Sequence, residues 1–412
     1  MPNRSATQAW AVPYMTTAVR ALLLLLFFAS ASLSSFAGKK ITVQKLEQLV
    51  ATVHGKPDSE VADKLRELEL TERLSSNRMV SLYSLMPGPI ARGVLIMLVD
   101  ASAFRRPPVD DVSATAPPDL DTQHRILELA AGYAGEALTK MPNFFATRET
   151  TLFMDKPAGP GVIVAPVDQS LDFVRKVSAT VLYRSGKQVV ETRDKKGVDS
   201  ELRETGLVTS GEFGPILGTL LSDARQGTLT WGYWEQRAGT NLAVFRYAVP
   251  RDKSHYNVKF CCVMLNTGLA IFERLTGYHG EVVIDPPSGT ILRLTMQSDL
   301  KPAYPMARAD LMVEYGLVEI GGKTYNCPLR SVAITQGYEP LNADLNDGPP
   351  GSIGLPSGRT VMSRPEVLQT MLNHVVFRQY HLFRSESRIL TDEEAAPTQN
   401  SPPVGPLQSP NP

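Results

Sequence analysis

The feature that most constrains this chain begins at Asn143. From there apolar residues recur at every second position, in short runs separated by turn residues. A period of two marks strands with one buried face, whereas a helix needs a period near 3.6. The runs are 145–154, 174–183, 187–192, 227–236, 241–249, 256–265, 278–284, 290–297, 309–315, 323–335 and 375–387. Ser185-Gly186, Arg237-Ala238-Gly239 and Gly321-Gly322 supply tight turns between neighbours, and strands joined by tight turns pair antiparallel. One helix, 212–223, interrupts the series with Leu217, Leu220 and Leu221. The pattern predicts a large curved antiparallel sheet or open β-barrel in meander order over 141–390.

Alternation also assigns side chains to faces. Over 290–297, Leu292, Leu294 and Met296 point one way, and Ile291, Arg293, Thr295 and Gln297 the other. Over 309–315, Leu311, Val313 and Tyr315 oppose Asp310, Met312 and Glu314. One face is apolar and one mixed, so the apolar face needs a cover of helices or of ligand. Leu292, Leu294, Met296, Leu311, Val313 and Tyr315 are therefore the candidate ligand-facing residues. Between two of the strands stands Asp285-Pro286-Pro287-Ser288-Gly289. Two prolines stop the first strand, Gly289 permits positive φ, and Asp285 accepts a backbone N–H, so this knot reads as a corner rather than a catalytic carboxylate.

Residues 38–140 have helical periodicity, which makes the whole an α+β protein. Leu46, Leu49, Val50 and Val53 share one helical face. Asp58 reads as the cap of a second helix with Val61, Ala62, Leu65 and Leu68 on its stripe, and Thr71 as the cap of a third that runs to Leu85. A fourth spans 90–104. After a Pro- and Asp-rich linker, 119–140 carries Ile126, Leu129, Ala130, Tyr133 and Ala137 on one side. Residues 341–359 read as a long surface loop, and the Pro-rich 391–412 as a disordered tail.

The first 37 residues hold only Arg4 and Arg20 as charges, with the apolar block 21–29 and a small-residue stretch ending Ser35-Phe36-Ala37. This predicts a secretory signal peptide cleaved after Ala37, with a retained N-terminal anchor as the competing reading and Met15 as an alternative start. The implied location is periplasmic or secreted, with no stable transmembrane span after cleavage. Forty-two basic residues balance 42 acidic ones, which argues against a nucleic-acid surface. In an oxidising compartment one disulfide is available: Cys261 and Cys262 point to opposite faces of a strand, and one of them reaches Cys327, or all three remain buried thiols.

Chemistry is sparse. G-x-S-x-G, H-E-x-x-H, Walker and G-x-G-x-x-G signatures are missing from the sequence. Of six histidines, His54, His124, His255, His279, His374 and His381, no two sit at ligand spacing on one predicted helix. Asn342 to Gly348 places its glycine wrongly for a calcium loop. Glu201, Glu204 and Glu212 read as a solvated stretch, and the 231–235 aromatics as sheet core, with Trp231 and Tyr233 on one face and Trp234 on the other. No cofactor and no metal are expected. A hydrolase would need carboxylates or histidines brought into one cleft by the fold.

The second half resembles LolA-type periplasmic lipoprotein-sorting carriers. Asp285 ends a strand, Gly289 lies in the turn, Arg293 sits on the next strand, and Gly322-Lys323-Thr324-Tyr325-Asn326-Cys327-Pro328 follows. The motif covers about 280–330 and the architecture about 143–390. The chain also resembles exported bacterial proteins that place a helical region before such a sheet. The resemblance implies an unclosed barrel whose helices cover an apolar cavity for acyl chains; no ligand-binding residue of the family carries over. The expected role is non-catalytic binding of an apolar ligand, a lipid or the acyl part of a lipoprotein, in the cell envelope. The alternative is a protein–protein module that meets an envelope partner through its helical region.

Overall fold

Two short strands pair in parallel around the first two helices, β1 (Lys39–Ile41) with β2 (Leu68–Leu70). The structure, a computed structural model, describes residues 38–53, 55–155, 171–184, 187–191, 206–207, 215–237, 239–265, 268–301, 306–338 and 368–383. The expected leader, the loop 341–359, the tail, and Glu201, Glu204 and Glu212 lie outside the described residues. Between β1 and β2 run α1 (Val43–Ala51) and α2 (Asp58–Arg66). Thr42 caps α1 by accepting the Lys45 N–H, and Val43, Leu46 and Val50 turn inward. Leu68 does not continue the stripe of α2; its ladder with Lys39 takes it into β2 instead.

Two expected caps act elsewhere. Asp58 sits in the first turn of α2, but its carboxylate accepts the N–H groups of Ile90 and Ala91 at 2.9 and 2.8 Å. It thus caps α4 (Pro89–Ala101), a different helix. Thr71 gives both its N–H and its hydroxyl to the Ile41 carbonyl. It extends the β1–β2 pair, so α3 starts at Ser76 and runs to Leu85. The next helix, α5 (Leu120–Lys140), is capped by Asp119, which accepts the Thr122 N–H at 2.8 Å.

The large sheet comprises β3 (Phe144–Met154), β4 (Asp172–Arg184), β5 (Lys187–Glu191), β7 (Thr228–Arg237), β8 (Thr240–Val249), β11 (Tyr278–Ile284), β12 (Ile291–Ser298), β13 (Met306–Ile320), β14 (Lys323–Tyr338) and β15 (Leu368–Leu382). Spatial order is β5-β4-β3-β15-β14-β13-β12-β11-β8-β7, every pair antiparallel. The end strands β5 and β7 do not pair with each other, so the sheet is not closed into a barrel. It is not a pure meander. The C-terminal β15 lies between β14 and β3, and β8 skips to β11. The hairpin β9 (Asn257–Leu265) and β10 (Gly268–Leu275) leaves the sheet and, with β6 (Gly206–Leu207), makes a second sheet of three strands.

Both faces of the large sheet are covered. On one, here the inner face of the helical layer, α1–α4 pack over Phe153, Met312, Val332, Ile334 and Leu372. On the other, α5, α6 (Pro215–Ala224) and the β9–β10 hairpin pack over Phe245, Val282, Leu294, Met296, Leu311 and Val313. The helical sequence 38–140 therefore splits: α1–α4 cover one face and α5 crosses to the other. Each Leu or Val so buried contributes about 1.5–3 kcal/mol.

Bulges reset two faces that strict alternation assigned otherwise. In β7 the ladder slips between Trp231 and Tyr233. Gly232 is the extra residue, where a Cβ would stand 2.8 Å from the Val244 carbonyl oxygen. Trp231 and Trp234 therefore share a face, their rings 4.7 Å apart, and Tyr233 turns to the other. In β12 the ladder slips between Ile291 and Arg293. Leu292 consequently joins Leu242, Val244 and Val283 on the helical-layer side, and Ile291 takes the α5 side.

The 285–290 corner is a turn that docks a helix. The Asp285 N–H donates to the Thr290 carbonyl, the Gly289 N–H to the Asp285 carbonyl, and the Ser288 hydroxyl to the Asp285 carboxylate. Gly289 has φ of 70°, and a Cβ there would lie 2.4 Å from the Leu129 carbonyl carbon of α5. Gly289→Ala must strain both the turn and the seat of α5, so it should cost about 1–3 kcal/mol. Asp285→Ala should cost about 1 kcal/mol. Urea denaturation of the two variants checks the order; an equal or smaller loss for Gly289→Ala contradicts it.

Candidate ligand-binding cavity

Beneath α5 and α6 lies a cavity of about 290 Å³. Its roof is Leu127, Ala130 and Ala131 from α5 and Leu220, Leu221 and Ala224 from α6. Its floor is Leu229, Tyr247, Val282, Ile284 and Ile291 from four strands. The space follows from residue size: at Ala130, Ala131 and Ala224 the helices present methyl groups where longer side chains would meet the sheet. Beside the floor, Gly280 of β11 pairs across the ladder with Tyr247 and leaves room for its ring. A Cβ there would come within 2.9 Å of the Tyr247 hydroxyl oxygen, which lies across the strand and donates to the Thr295 carbonyl. Polar groups stand only at the edge: His124 and Glu128 on α5, and Arg225 after α6, all exposed. An apolar interior with few polar groups at its margin is the common form of a small-molecule site.

Buried polar anchors hold the roof in place. Asp223, at the end of α6, is fully buried. It accepts from the His255 N–H at 2.8 Å, lies 2.6 Å from His255 Nδ1, and accepts from the Tyr278 hydroxyl at 3.0 Å. These bonds fasten α6 to β11, while the 285–290 turn seats α5.

The six residues expected to face a ligand are placed otherwise. Leu294, Met296, Leu311, Val313 and Tyr315 are buried on the α5–α6 face. Leu294 pairs across the ladder with Val313, and Met296 with Leu311. None of the five lines this cavity, which sits over β7, β8, β11 and the start of β12; Leu294, Met296, Leu311 and Val313 are close-packed core, and Tyr315 also borders a separate cavity of about 270 Å³ together with Leu292. Leu292 faces the helical layer because of the bulge. The sequence signal that was available for the true lining is the alternation Val282–Ile284 in β11, continued by Ile291 across the turn.

The mixed face of the sheet carries what no local motif announced: a chain of buried charges. The Asp100 carboxylate of α4, with no exposure, accepts from Arg330 of β14 and lies 2.7 Å from His374 Nδ1 of β15. Arg330 also donates to Glu314 and to the Ser76 hydroxyl, both at 3.1 Å. Ser76 in turn donates to Glu314 at 2.5 Å. Beside them Glu235 receives both Arg293 NH groups, at 2.9 and 2.7 Å, and Arg73 at 2.7 Å. Burial alone would raise Glu235, but Arg293 and Arg73 hold it at about 2. Arg330, with His374 for Asp100 and Ser76 for Glu314, likewise outweighs burial and holds those two acids below the usual carboxylate range. Carboxylates and a histidine thus do converge, next to a polar cavity of about 270 Å³. Every acid is ionised and matched to arginine, the arrangement of a clamp between layers rather than of a poised acid–base pair.

His279 lies 2.9 Å from Asp299, and the His381 ring packs on Phe145. Among the described residues no group of three His, Cys, Asp or Glu side chains is placed to hold a metal ion. Cys327 is a free thiol in an apolar cluster with Phe144, Val181 and Phe377, and burial pushes it up to about 12. It is thus not half of a bridge in this structure; the side chains of Cys261 and Cys262 lie outside the described residues. Comparison of the chain with protein-family models, with curated proteins and with solved structures yields no match.

Two outcomes follow from the clamp. Arg330→Met strands Asp100 and Glu314 as buried charges and should cost about 3–5 kcal/mol in chemical denaturation. Glu235 has a folded pKa below its ordinary 4.5. Its stabilisation is complete above about pH 4.5 and lost as pH falls toward 2, on the order of 3 kcal/mol. Asp100 and Glu314 shift in the same direction and add to the loss. A urea midpoint unchanged between pH 7 and pH 3 contradicts this.

Proposed function

We propose that this is an exported, non-catalytic binding protein for an apolar ligand, a lipid or the acyl part of a lipoprotein, in the bacterial cell envelope. The observation that carries the reading is the apolar cavity of about 290 Å³ between α5, α6 and the sheet. Two features of the sequence support it: the signal-peptide pattern of residues 1–37, and the resemblance of 280–330 to LolA-type carriers, whose open sheet also holds ligand under helices. Ala131 lies in the roof, half-buried. Ala131→Trp fills the cavity from the helix side without adding charge. The variant should fold with the same urea midpoint, lose binding of the neutral dye Nile red, and release no lipid into organic extracts read by mass spectrometry. A stable Ala131→Trp protein that binds dye as tightly as the parent removes the support for this reading.

One observation favours the second reading, an interaction module. Val80, Leu85 and Ile90 of the helical layer are 68%, 53% and 48% exposed. Deleting the layer is not a clean test, because α1–α4 cover half of the sheet. Val80→Glu with Leu85→Glu keeps the fold and should abolish capture of an envelope partner if this face serves that role; unchanged capture excludes it.

A further inference from the structure

The cavity margin selects among apolar ligands, and this inference rests on the binding reading above. His124 and Glu128 stand one helical turn apart on α5 at one side of the margin. Arg225 faces them from just beyond the end of α6. Its guanidinium has no hydrogen bond or ion pair among the described residues. The arginines at 73, 78, 105, 246, 293, 308 and 330 all have carboxylate partners. A cation at the margin of an apolar cavity, with no carboxylate partner among the described residues, fits a ligand that brings one. Volume limits the tail. A cavity of about 150 Å³ accepts benzene, so about 290 Å³ accommodates roughly twice that carbon count.

We propose that the site takes a single-chain fatty carboxylate of about ten to twelve carbons, with its chain under α5 and α6 and its carboxylate on Arg225. The carboxylate gains a charge-assisted, two-pronged hydrogen bond that an alcohol cannot make. The chain adds apolar contact along Leu127, Leu221 and Val282.

The test is displacement of Nile red from the full chain by decanoate, decanol and decyltrimethylammonium. Decanoate should displace at about tenfold lower concentration than decanol, and the ammonium should be weakest. Arg225→Gln should bring decanoate down to the level of decanol and leave decanol unchanged, whereas Arg225→Lys should keep a preference for the acid. Equal displacement by decanoate and decanol in the parent, or an Arg225→Gln variant that still prefers the acid, overturns the carboxylate inference and leaves the apolar-cavity reading standing. Failure of the dye and of all three amphiphiles to bind overturns both.

Discussion

Asp100 has no solvent exposure, and its two oxygens reach two different strands through Arg330 and His374. That contact decides how the helical layer sits on the sheet. An isolated carboxylate at such depth is prohibitively costly, so α4 is seated only where both partners are present. Arg330 extends the constraint to Glu314 and Ser76, which locates the start of α3. Glu235 repeats the device, joining β7, β12 and the segment before α3 through Arg293 and Arg73. Charges on the mixed face thus specify position, and the leucines and valines of α1–α4 supply the bulk of the burial.

The opposite face is built on different terms. It is mostly apolar, with Asp223 matched to His255 and Tyr278 at its edge, and its cover leaves space where small residues meet it. Ala130, Ala131 and Ala224 leave the cavity, while Asp223 and the 285–290 turn hold the two helices that roof it. The division of labour is physical: a charge network tolerates no slippage, whereas an apolar contact can give way to a guest of similar polarity. The α5–α6 face thus carries the apolar cavity, and the face under α1–α4 carries the charge clamp.

Much of the fold was legible in the residues. Period-two alternation located most strands of the main sheet to within a few residues, although β15 begins at Leu368, seven residues before the expected 375, and the helix expected over 119–140 runs from Leu120 to Lys140. The turn at Asp285 was read from its prolines and glycine. The misplacements have specific causes. Leu292 and Tyr233 were assigned to the wrong faces because a bulge shifts phase by one residue, and whether Gly232 or Leu292 forms a bulge depends on the partner strand. Asp58 and Thr71 were read as local caps, although their hydrogen bonds go to Ile90, Ala91 and Ile41, some 30 residues away.

The site was legible only in outline. Alternation by itself determined that one sheet face is apolar and requires a cover, and that the chain carries no familiar catalytic signature. Which apolar residues face empty space was decided by tertiary structure, because Leu294 and Val282 are equivalent in pattern and differ only in what packs above them. The charge clamp was likewise invisible. Asp100, Glu235, Glu314, Arg330 and His374 are far apart in the chain, and each taken alone resembles a surface residue. The fold brings them together because β15 inserts beside β14 and α4 crosses both. Local chemistry determines the elements and their faces; only long-range pairing decides which charges meet and where space remains.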